Sequence, residues 1–148
     1  MSSNPKECRF CEIVRGDRQA HLVLVSDICV AFLDSRPLFP GHCLLVPQDH
    51  LETLLDLPDR LIAPLFSQVR SLAHAVEEAM KAEGTFVAIN NRVSQSVPHL
   101  HVHVVPRRRK DGLRGFFWPR QSYRDAAEMT EVQQAIRDAL ARDSSSLG

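Results

Sequence analysis

The sequence has no excess of charge of either sign, because 18 Lys and Arg residues balance 18 Asp and Glu residues among 148. A neutral chain lacks bulk attraction for nucleic acid or anionic lipid, so we expect no nucleic-acid partner and no membrane partner. No run approaches the roughly 20 apolar residues of a membrane span. The N-terminal segment also lacks the apolar stretch of a secretory signal peptide. These absences favour a cytoplasmic protein.

Aromatic residues and glycine are scarce, at 6% and six residues, but hydrophobic residues make up 44% and charged residues 24% of the chain. This balance is that of an ordinary globular protein and excludes a disordered chain, a collagen and a coiled coil. No repeat or linker divides the sequence. We therefore expect a single domain over 1–148, with a core at 8–106 and a C-terminal extension at 107–148.

Cysteine is also infrequent, with four residues, which in a cytosolic chain argues against a disulfide framework. Cys8 and Cys11 form a C-x-x-C pair, and this pair alone leaves metal binding, redox chemistry and coincidence open. Cys29 and Cys43 lie within apolar runs and are interpreted as ordinary core thiols.

Hydrophobic spacing predicts a mixture of strands and helices. The predicted strands cover 22–26, 28–33, 43–47, 85–89 and 99–105. A short helix is predicted over 50–57, a long helix over 58–83 that ends at Gly84, and a C-terminal helix over 125–142. The content is that of an α+β protein.

Three histidines alternate with apolar residues in the last predicted strand, at His99, His101 and His103. Side chains of a strand alternate between its faces, so the three imidazoles should share one face while Leu100, Val102 and Val104 face a core. A three-histidine metal site is one interpretation. Successive same-face positions are roughly 6.5–7 Å apart, which is awkward for one small ion. The spacing favours a central imidazole that attacks phosphorus while its neighbours orient it and bind oxygens.

This segment resembles the motif of the histidine triad (HIT) superfamily of nucleotide hydrolases and transferases. The resemblance extends over about residues 8–106 and includes the segments 8–14, 31–34, 37–42, 44–50 and 95–97. It implies a HIT-like α+β fold, in which a five-stranded antiparallel sheet carries the long helix. It also implies a homodimer joined through that helix and the strand after it.

The resemblance implies a role for each matching residue. His101 would be the nucleophile, and His103 would donate to phosphate oxygens or bridge to the leaving group. Ser96 would hydrogen-bond a phosphate oxygen or the leaving group. The nucleotide would be held by a further set: Phe10, Phe32, Leu33, Asp34, Asn90, Asn91 and Gln95. The loop before the triad lacks the glycines common in the family, and Ser94 stands where a glycine is usual. Arg92 is an added candidate for a phosphate contact, and His21, His42 and His74 are interpreted as structural or exposed.

Resemblance to the zinc-bearing branch of the superfamily implies a structural Zn²⁺ held by Cys8, Cys11, His50 and His99. The basic run at 107–110 is interpreted first as a solvated face and second as a contact for a polyphosphate chain. The aromatic segment 116–118 would cover the site or a neighbouring subunit.

The implied substrate is a purine nucleotide or dinucleotide cleaved at its α-phosphate, with a P–O or P–N bond broken. Dinucleoside polyphosphate hydrolysis is favoured over phosphoramidate hydrolysis. A non-catalytic nucleotide-binding module and a zinc-scaffold interaction protein are the two non-enzymatic alternatives.

Overall fold

The computed structural model describes residues 4–114 and 120–146, and the side chains up to residue 142. The chain divides into two compact units, residues 1–111 and 112–148, and each is described by itself. The single-domain interpretation of 1–148 stays a prediction. The predicted aromatic segment 116–118 lies outside the described residues.

The first unit holds a five-stranded antiparallel sheet in the order β1-β2-β3-β5-β4. Its elements in chain order are α1 (Arg9–Arg15), β1 (Leu22–Val25), β2 (Cys29–Leu33), β3 (Cys43–Pro47), α2 (Asp59–Ala79), β4 (Gly84–Ala88) and β5 (Val102–Arg107). Short 3-10 turns cover Pro5–Glu7 and Leu54–Asp56. The predicted α+β fold with this sheet and a long helix is confirmed.

Each face of the sheet packs against one helix, as the alternation of side chains along β2 and β3 requires. Cys29, Ala31, Cys43 and Leu45 are buried in one cluster with the apolar stripe of α2. The intervening residues are buried in a second cluster with α1: Val30, Phe32, Leu44 and Val46. Cys29 and Cys43 are therefore core thiols, as predicted.

The triad segment differs from the predicted strand. Regular pairing begins at Val102, so His99 and His101 precede β5 and only His103 lies within it. The reason is a hydrogen bond to a distant part of the chain: the Leu100 N–H donates to the carbonyl of Leu51, outside the sheet. The alternation survives nevertheless, because Leu100 and Val102 are fully buried in the α2 cluster.

Three helical segments also differ from the prediction. The predicted helix 50–57 is only the turn Leu54–Asp56, begun by a capping box between Thr53 and Asp56. Helix α2 ends at Ala79 rather than at Gly84, which is the first residue of β4, and Lys81 adopts the left-handed φ of 52° in between. Helix α1 was not predicted, since seven residues show little periodicity.

The second unit contains α3 (Ala126–Ser146), which agrees with the predicted C-terminal helix apart from its last residues. Met129, Val132 and Ile136 lie on one face of it at helical spacing. Within the described ranges, none of the helices combines the length and apolar character needed to cross a membrane.

Candidate functional site

A cavity of about 1250 Å³ opens on the α1 side of the sheet. β5 lies between β3 and β4, and His103 pairs in register with Leu44 and Ala88. The lining of the cavity includes most of the catalytic and nucleotide-binding residues predicted from the sequence: Phe10, Phe32, Leu33, Asp34, Ser96, His101 and His103. Residues from both ends of the first unit therefore meet in one cavity.

The hydrogen bonds of His101 determine which ring nitrogen is available for reaction. Its Nδ1 lies 2.7 Å from the carbonyl oxygen of His99, so Nδ1 must carry the proton and donate. In the neutral imidazole the other nitrogen, Nε2, then keeps its lone pair. His101 is only 3% exposed, and burial lowers its pKa, against opposing contributions from the His99 carbonyl and Asp34. The ring is thus neutral near pH 7, with one nucleophilic nitrogen.

His42 sets the protonation of His103 in the same way. The backbone N–H of Leu38 donates to Nδ1 of His42 over 3.0 Å, so neutral His42 carries its proton on Nε2. That nitrogen lies 3.0 Å from Nδ1 of His103 and donates to it. Neutral His103 therefore carries its own proton on Nε2. The Leu38 N–H thus fixes the tautomer of His42, and His42 in turn fixes the tautomer of His103. The ring centroid of His103 lies 5.0 Å from that of His101.

Asp34 is the acidic residue that faces this histidine pair. One carboxylate oxygen accepts from the N–H of Arg36 at 2.8 Å, and the other lies 3.6 Å from Nε2 of His42. Burial lowers the pKa of His42, which Asp34 partly offsets. Burial, followed by the neighbouring His101 and His42 rings, lowers the pKa of His103 to about 4. Both imidazoles are therefore neutral at physiological pH, as their hydrogen bonds require.

A second cluster lies behind the cavity, where Cys8, Cys11, His50 and His99 bring their ligand atoms within 4.8 Å of one another. Nδ1 of His99 is 3.5 Å from Cys8 Sγ and 3.4 Å from Cys11 Sγ, and Nδ1 of His50 is 3.1 Å from Cys11 Sγ. With metal bonds of about 2.3 Å to sulfur and about 2.0 Å to nitrogen, tetrahedral zinc places neighbouring ligands roughly 3.3–3.8 Å apart. The two His99 distances lie in this range, and the 3.1 Å from His50 to Cys11 is slightly shorter. The donor set therefore fits a tetrahedral metal ion.

The surroundings of the cluster agree with this chemistry. Nε2 of His99 donates to the carbonyl of Pro47 at 2.9 Å, so the lone pair on Nδ1 faces the sulfurs. Such an outer hydrogen bond fixes the tautomer of a metal-binding histidine. Burial raises the pKa of the Cys11 thiol to about 11, whereas redox-active thiols have lowered pKa values.

The amide side chains of the loop before the triad bond backbone groups of the loop itself and of the segment 52–54. Gln95 accepts from the Arg92 N–H and donates to the Glu52 carbonyl, and Asn91 accepts from the Leu54 N–H. Asn90 donates to the Ser94 carbonyl. None of these three side chains lines the cavity. The structure therefore does not bring Asn90, Asn91 and Gln95 together with His101 and His103.

Backbone strain marks the same loop. Ser94 and Arg92 adopt left-handed φ angles of 60° and 69°, a conformation that costs a non-glycine residue about 1–2 kcal/mol. Ser94 therefore keeps the backbone shape of the glycine that is usual at this position. The loop ends at Ser96, whose exposed hydroxyl lines the cavity.

The basic run after the triad is tied to other groups. Arg107 forms a two-point ion pair with Asp111, and Arg108 donates to the carbonyl of Met80. Arg109 lies 3.7 Å from Glu83. None of the three lines the cavity, which favours the first interpretation of this run as a solvated face.

His42, which the sequence analysis interpreted as structural or exposed, is a buried residue beside the candidate site. It is 3% exposed and contacts His103 across 61 residues of sequence. A single histidine in a loop has no spacing signal. The available signal was its place in the segment 37–42, directly before the buried strand β3, within the region of resemblance.

The chain is similar to known proteins of one family. The model of the HIT domain family matches residues 15–110. An uncharacterised HIT-like protein of Saccharolobus solfataricus is 36% identical, over 90% of this chain and 97% of its own length. An adenylylsulfatase of Arabidopsis thaliana is 31% identical over 83% of this chain, and a bis(5'-nucleosyl)-tetraphosphatase of Schizosaccharomyces pombe is 32% identical over 72%. The matches span 61% and 58% of those two longer relatives.

Two solved structures have the same fold. A HIT-family protein of Bacillus subtilis superposes with a TM-score of 0.80 at 30% identity, covering 89% of this chain and 96% of its own. A zinc-bound histidine triad family protein of Mycobacterium smegmatis gives a TM-score of 0.70 at 33% identity, covering 97% and 99%. With its triad motif, its sheet order and a family match over most of its length, this chain belongs to the histidine triad (HIT) family.

Proposed function

We propose that this protein is a nucleotide hydrolase or nucleotidyl transferase that breaks a P–O or P–N bond at the α-phosphate. The reaction would pass through a covalent nucleotidyl-histidine intermediate on His101. The observation that carries the proposal is the pair of complementary nitrogens in one cavity. His101 offers a lone pair on Nε2, and His103 offers a proton on Nε2, each fixed by a hydrogen bond on its other nitrogen.

The proposed reaction has two displacement steps. Nε2 of His101 attacks the α-phosphorus and forms a P–N bond while the bond to the leaving group breaks. The leaving group takes the proton from Nε2 of His103. In the second step water attacks the same phosphorus and passes its proton to His103. The P–N bond breaks, a nucleoside monophosphate is released, and both histidines return to their neutral forms.

The remaining lining residues fit the parts of a nucleotide. Phe10 and Phe32 meet edge to face at 5.4 Å and supply an apolar wall for the base, together with Leu33. The Asp34 carboxylate is held in place by the Arg36 N–H and keeps acceptor capacity for ribose hydroxyls. The Ser96 hydroxyl is placed to donate to a phosphate oxygen. These assignments assume a nucleotide bound with its phosphate beside His101.

Among nucleotides, we favour dinucleoside polyphosphates as substrates. A cavity of about 1250 Å³ is larger than the roughly 300–1,000 Å³ of ordinary small-molecule pockets. One relative named above is a bis(5'-nucleosyl)-tetraphosphatase and another is an adenylylsulfatase, and both names describe cleavage beside a nucleotide phosphate.

The test is turnover of a dinucleoside tetraphosphate and an adenosine phosphoramidate by the wild type and His101→Ala. We expect His101→Ala to abolish both reactions while nucleotide affinity, measured by calorimetry, changes by less than about tenfold or ~1.4 kcal/mol. His74→Ala, at an exposed histidine of α2, is the matched control and should retain full turnover. Near wild-type turnover in His101→Ala would refute the nucleophile, and no turnover of either substrate by the wild type would refute the function.

We also propose that the Cys8, Cys11, His50 and His99 cluster holds a structural zinc ion. Its ligand distances and the Pro47 hydrogen bond support this, as does the zinc-bound relative. With four protein ligands the site is closed, so the metal would stabilise the fold rather than activate water. Its link to the reaction runs through His99, which would bind the metal by its side chain and holds His101 by its carbonyl.

A homodimer is proposed through β4 and α2. β4 is an edge strand of the sheet, and exposed edges readily pair with a second chain. Val87 on β4 is 44% exposed, and Ile62 and Phe66 on α2 are 45% and 37% exposed. Light scattering should give twice the chain mass, and Val87→Lys should shift it toward one chain. An unchanged dimer in that variant would place the interface elsewhere.

A further inference from the structure

The cavity carries more positive charge than one α-phosphate requires. Three arginines line it, Arg9, Arg18 and Arg36, against the single carboxylate of Asp34. Arg18 is already paired with Glu12, with 2.6 Å between Nε and Oε2. Within the described part of the chain, the side chains of Arg9 and Arg36 form no ion pair with a carboxylate. Two arginines therefore line the cavity without an ion pair to any carboxylate of the described residues.

Both arginines are next to residues that touch the histidine groups. Arg9 precedes Phe10, whose ring centroid is 5.1 Å from that of His101. Arg36 donates its backbone N–H to Asp34, whose other oxygen lies 3.6 Å from Nε2 of His42. Helix α1 thus supplies one cation and the loop between β2 and β3 supplies the other.

The other basic groups near the triad do not provide this charge. Arg107, Arg108 and Arg109 are engaged with Asp111, Met80 and Glu83 and do not line the cavity. His103, which lines the cavity, is neutral at physiological pH, because burial and then the neighbouring His101 and His42 rings lower its pKa to about 4. Among the arginines of the lining, Arg18 is paired with Glu12, so Arg9 and Arg36 are the two available to a second anionic group.

We propose that Arg9 and Arg36 bind the leaving group and select substrates whose leaving group is an oxyanion, either a phosphate chain or sulfate. The inference rests on the proposed function and names its substrate class. Negative charge accumulates on such a leaving group as its bond to the α-phosphorus breaks. Guanidinium groups form strong charge-assisted hydrogen bonds to phosphate and sulfate oxygens, and this interaction grows toward the transition state. A neutral amine leaving group gains nothing from them.

The experiment compares kcat/KM for three substrates: a dinucleoside tetraphosphate, adenylyl sulfate and an adenosine phosphoramidate. Arg9→Gln, Arg36→Gln and the double variant are measured beside the wild type. A hydrogen bond to a charged group is worth enough that each substitution should lower the ratio of oxyanion to amine substrate by about 10-fold or more. Arg70→Gln, on the exposed side of α2, is the control and should leave the ratio unchanged.

A second measurement does not depend on the variants folding. Raising the ionic strength should raise the wild-type KM for the oxyanion substrates more steeply than for the phosphoramidate. A selective loss for the tetraphosphate alone identifies a phosphate chain as the ligand, and a loss for both identifies any oxyanion. An unchanged ratio in the double variant, or an equal salt dependence for all three substrates, would overturn the inference. Failure of the proposed function would look different, because the wild type would then turn over none of them.

Discussion

His42 carries one hydrogen bond on each ring nitrogen, and two substitutions remove these bonds one at a time. In His42→Asn the amide oxygen takes the place of Nδ1, so the acceptor for the Leu38 N–H remains but the donor to His103 is lost. In His42→Gln the amide nitrogen reaches the position of Nε2, so the donor to His103 remains but the acceptor for Leu38 is lost.

The two variants should be similar in stability and different in turnover. Each loses one hydrogen bond, worth about 0.5–1.5 kcal/mol net, together with part of a buried ring. We therefore expect both to lose about 1–2 kcal/mol of unfolding free energy. Only His42→Asn leaves Nδ1 of His103 without its donor, so that the proton of His103 is no longer held on Nε2. At 1.36 kcal/mol per tenfold in rate, its kcat should fall about tenfold while that of His42→Gln stays within about threefold.

Steady-state kinetics and urea unfolding measure the two effects. The ¹⁵N shifts of the His103 ring would report its tautomer directly, as protonated Nε2 in the wild type and His42→Gln and as a mixture in His42→Asn. The reasoning fails if His42→Asn turns over like the wild type, or if both variants lose kcat in proportion to their loss of stability.

Three further predictions concern the metal, the pH and the loop. Elemental analysis should find one zinc per chain, and chelation or Cys8→Ser should lower the Tm without abolishing turnover. Activity that instead tracks zinc in an intact fold would move the metal into the mechanism. The pKa of His103 is about 4 in the fold and about 6.5 in the unfolded chain, so protonation favours the unfolded chain. The contribution of neutral His103 to the free energy of unfolding is complete above about pH 6.5 and should be lost as the pH falls to about 4. In His103→Gln the free energy of unfolding should therefore fall less steeply over this pH range. Ser94→Gly relieves a left-handed φ of 60° and should raise stability by up to about 1–2 kcal/mol in the same assay, whereas a destabilised variant would show that the serine side chain holds the loop.

Periodic features of the sequence predicted the fold well. The buried stripe of α2 at Leu61, Leu65, Val69, Leu72 and Val76 follows helical spacing, and the helix was predicted within four residues at its end. The apolar runs at 29–33 and 43–47 became the central strands. Such patterns are readable because burial of a helix or strand face constrains residue type at every turn or every second residue.

Features that depend on distant partners were harder to read. The start of β5 is fixed by the bond from Leu100 to Leu51, and the role of His42 by its contact with His103. Neither contact has a sequence period. The amides of Asn91 and Gln95 match a nucleotide-binding motif by type, but backbone groups at Leu54 and Glu52 take their hydrogen bonds. Residue type predicts which contacts are possible, and the fold selects among them.

The strand order has a consequence for how the protein matures on the ribosome. β5 is the last strand in the chain but lies between β3 and β4, so the sheet stays interrupted until residue 107 has emerged. Asp34 and His42 are made early, and His101 and His103 arrive only with that insertion. The pairing of β5 therefore fills the gap between β3 and β4 and brings the triad segment to both the cavity and the Cys8–His99 cluster. A nascent or truncated chain that ends before β5 lacks His99, His101 and His103, so neither group of side chains can assemble before the sheet is complete.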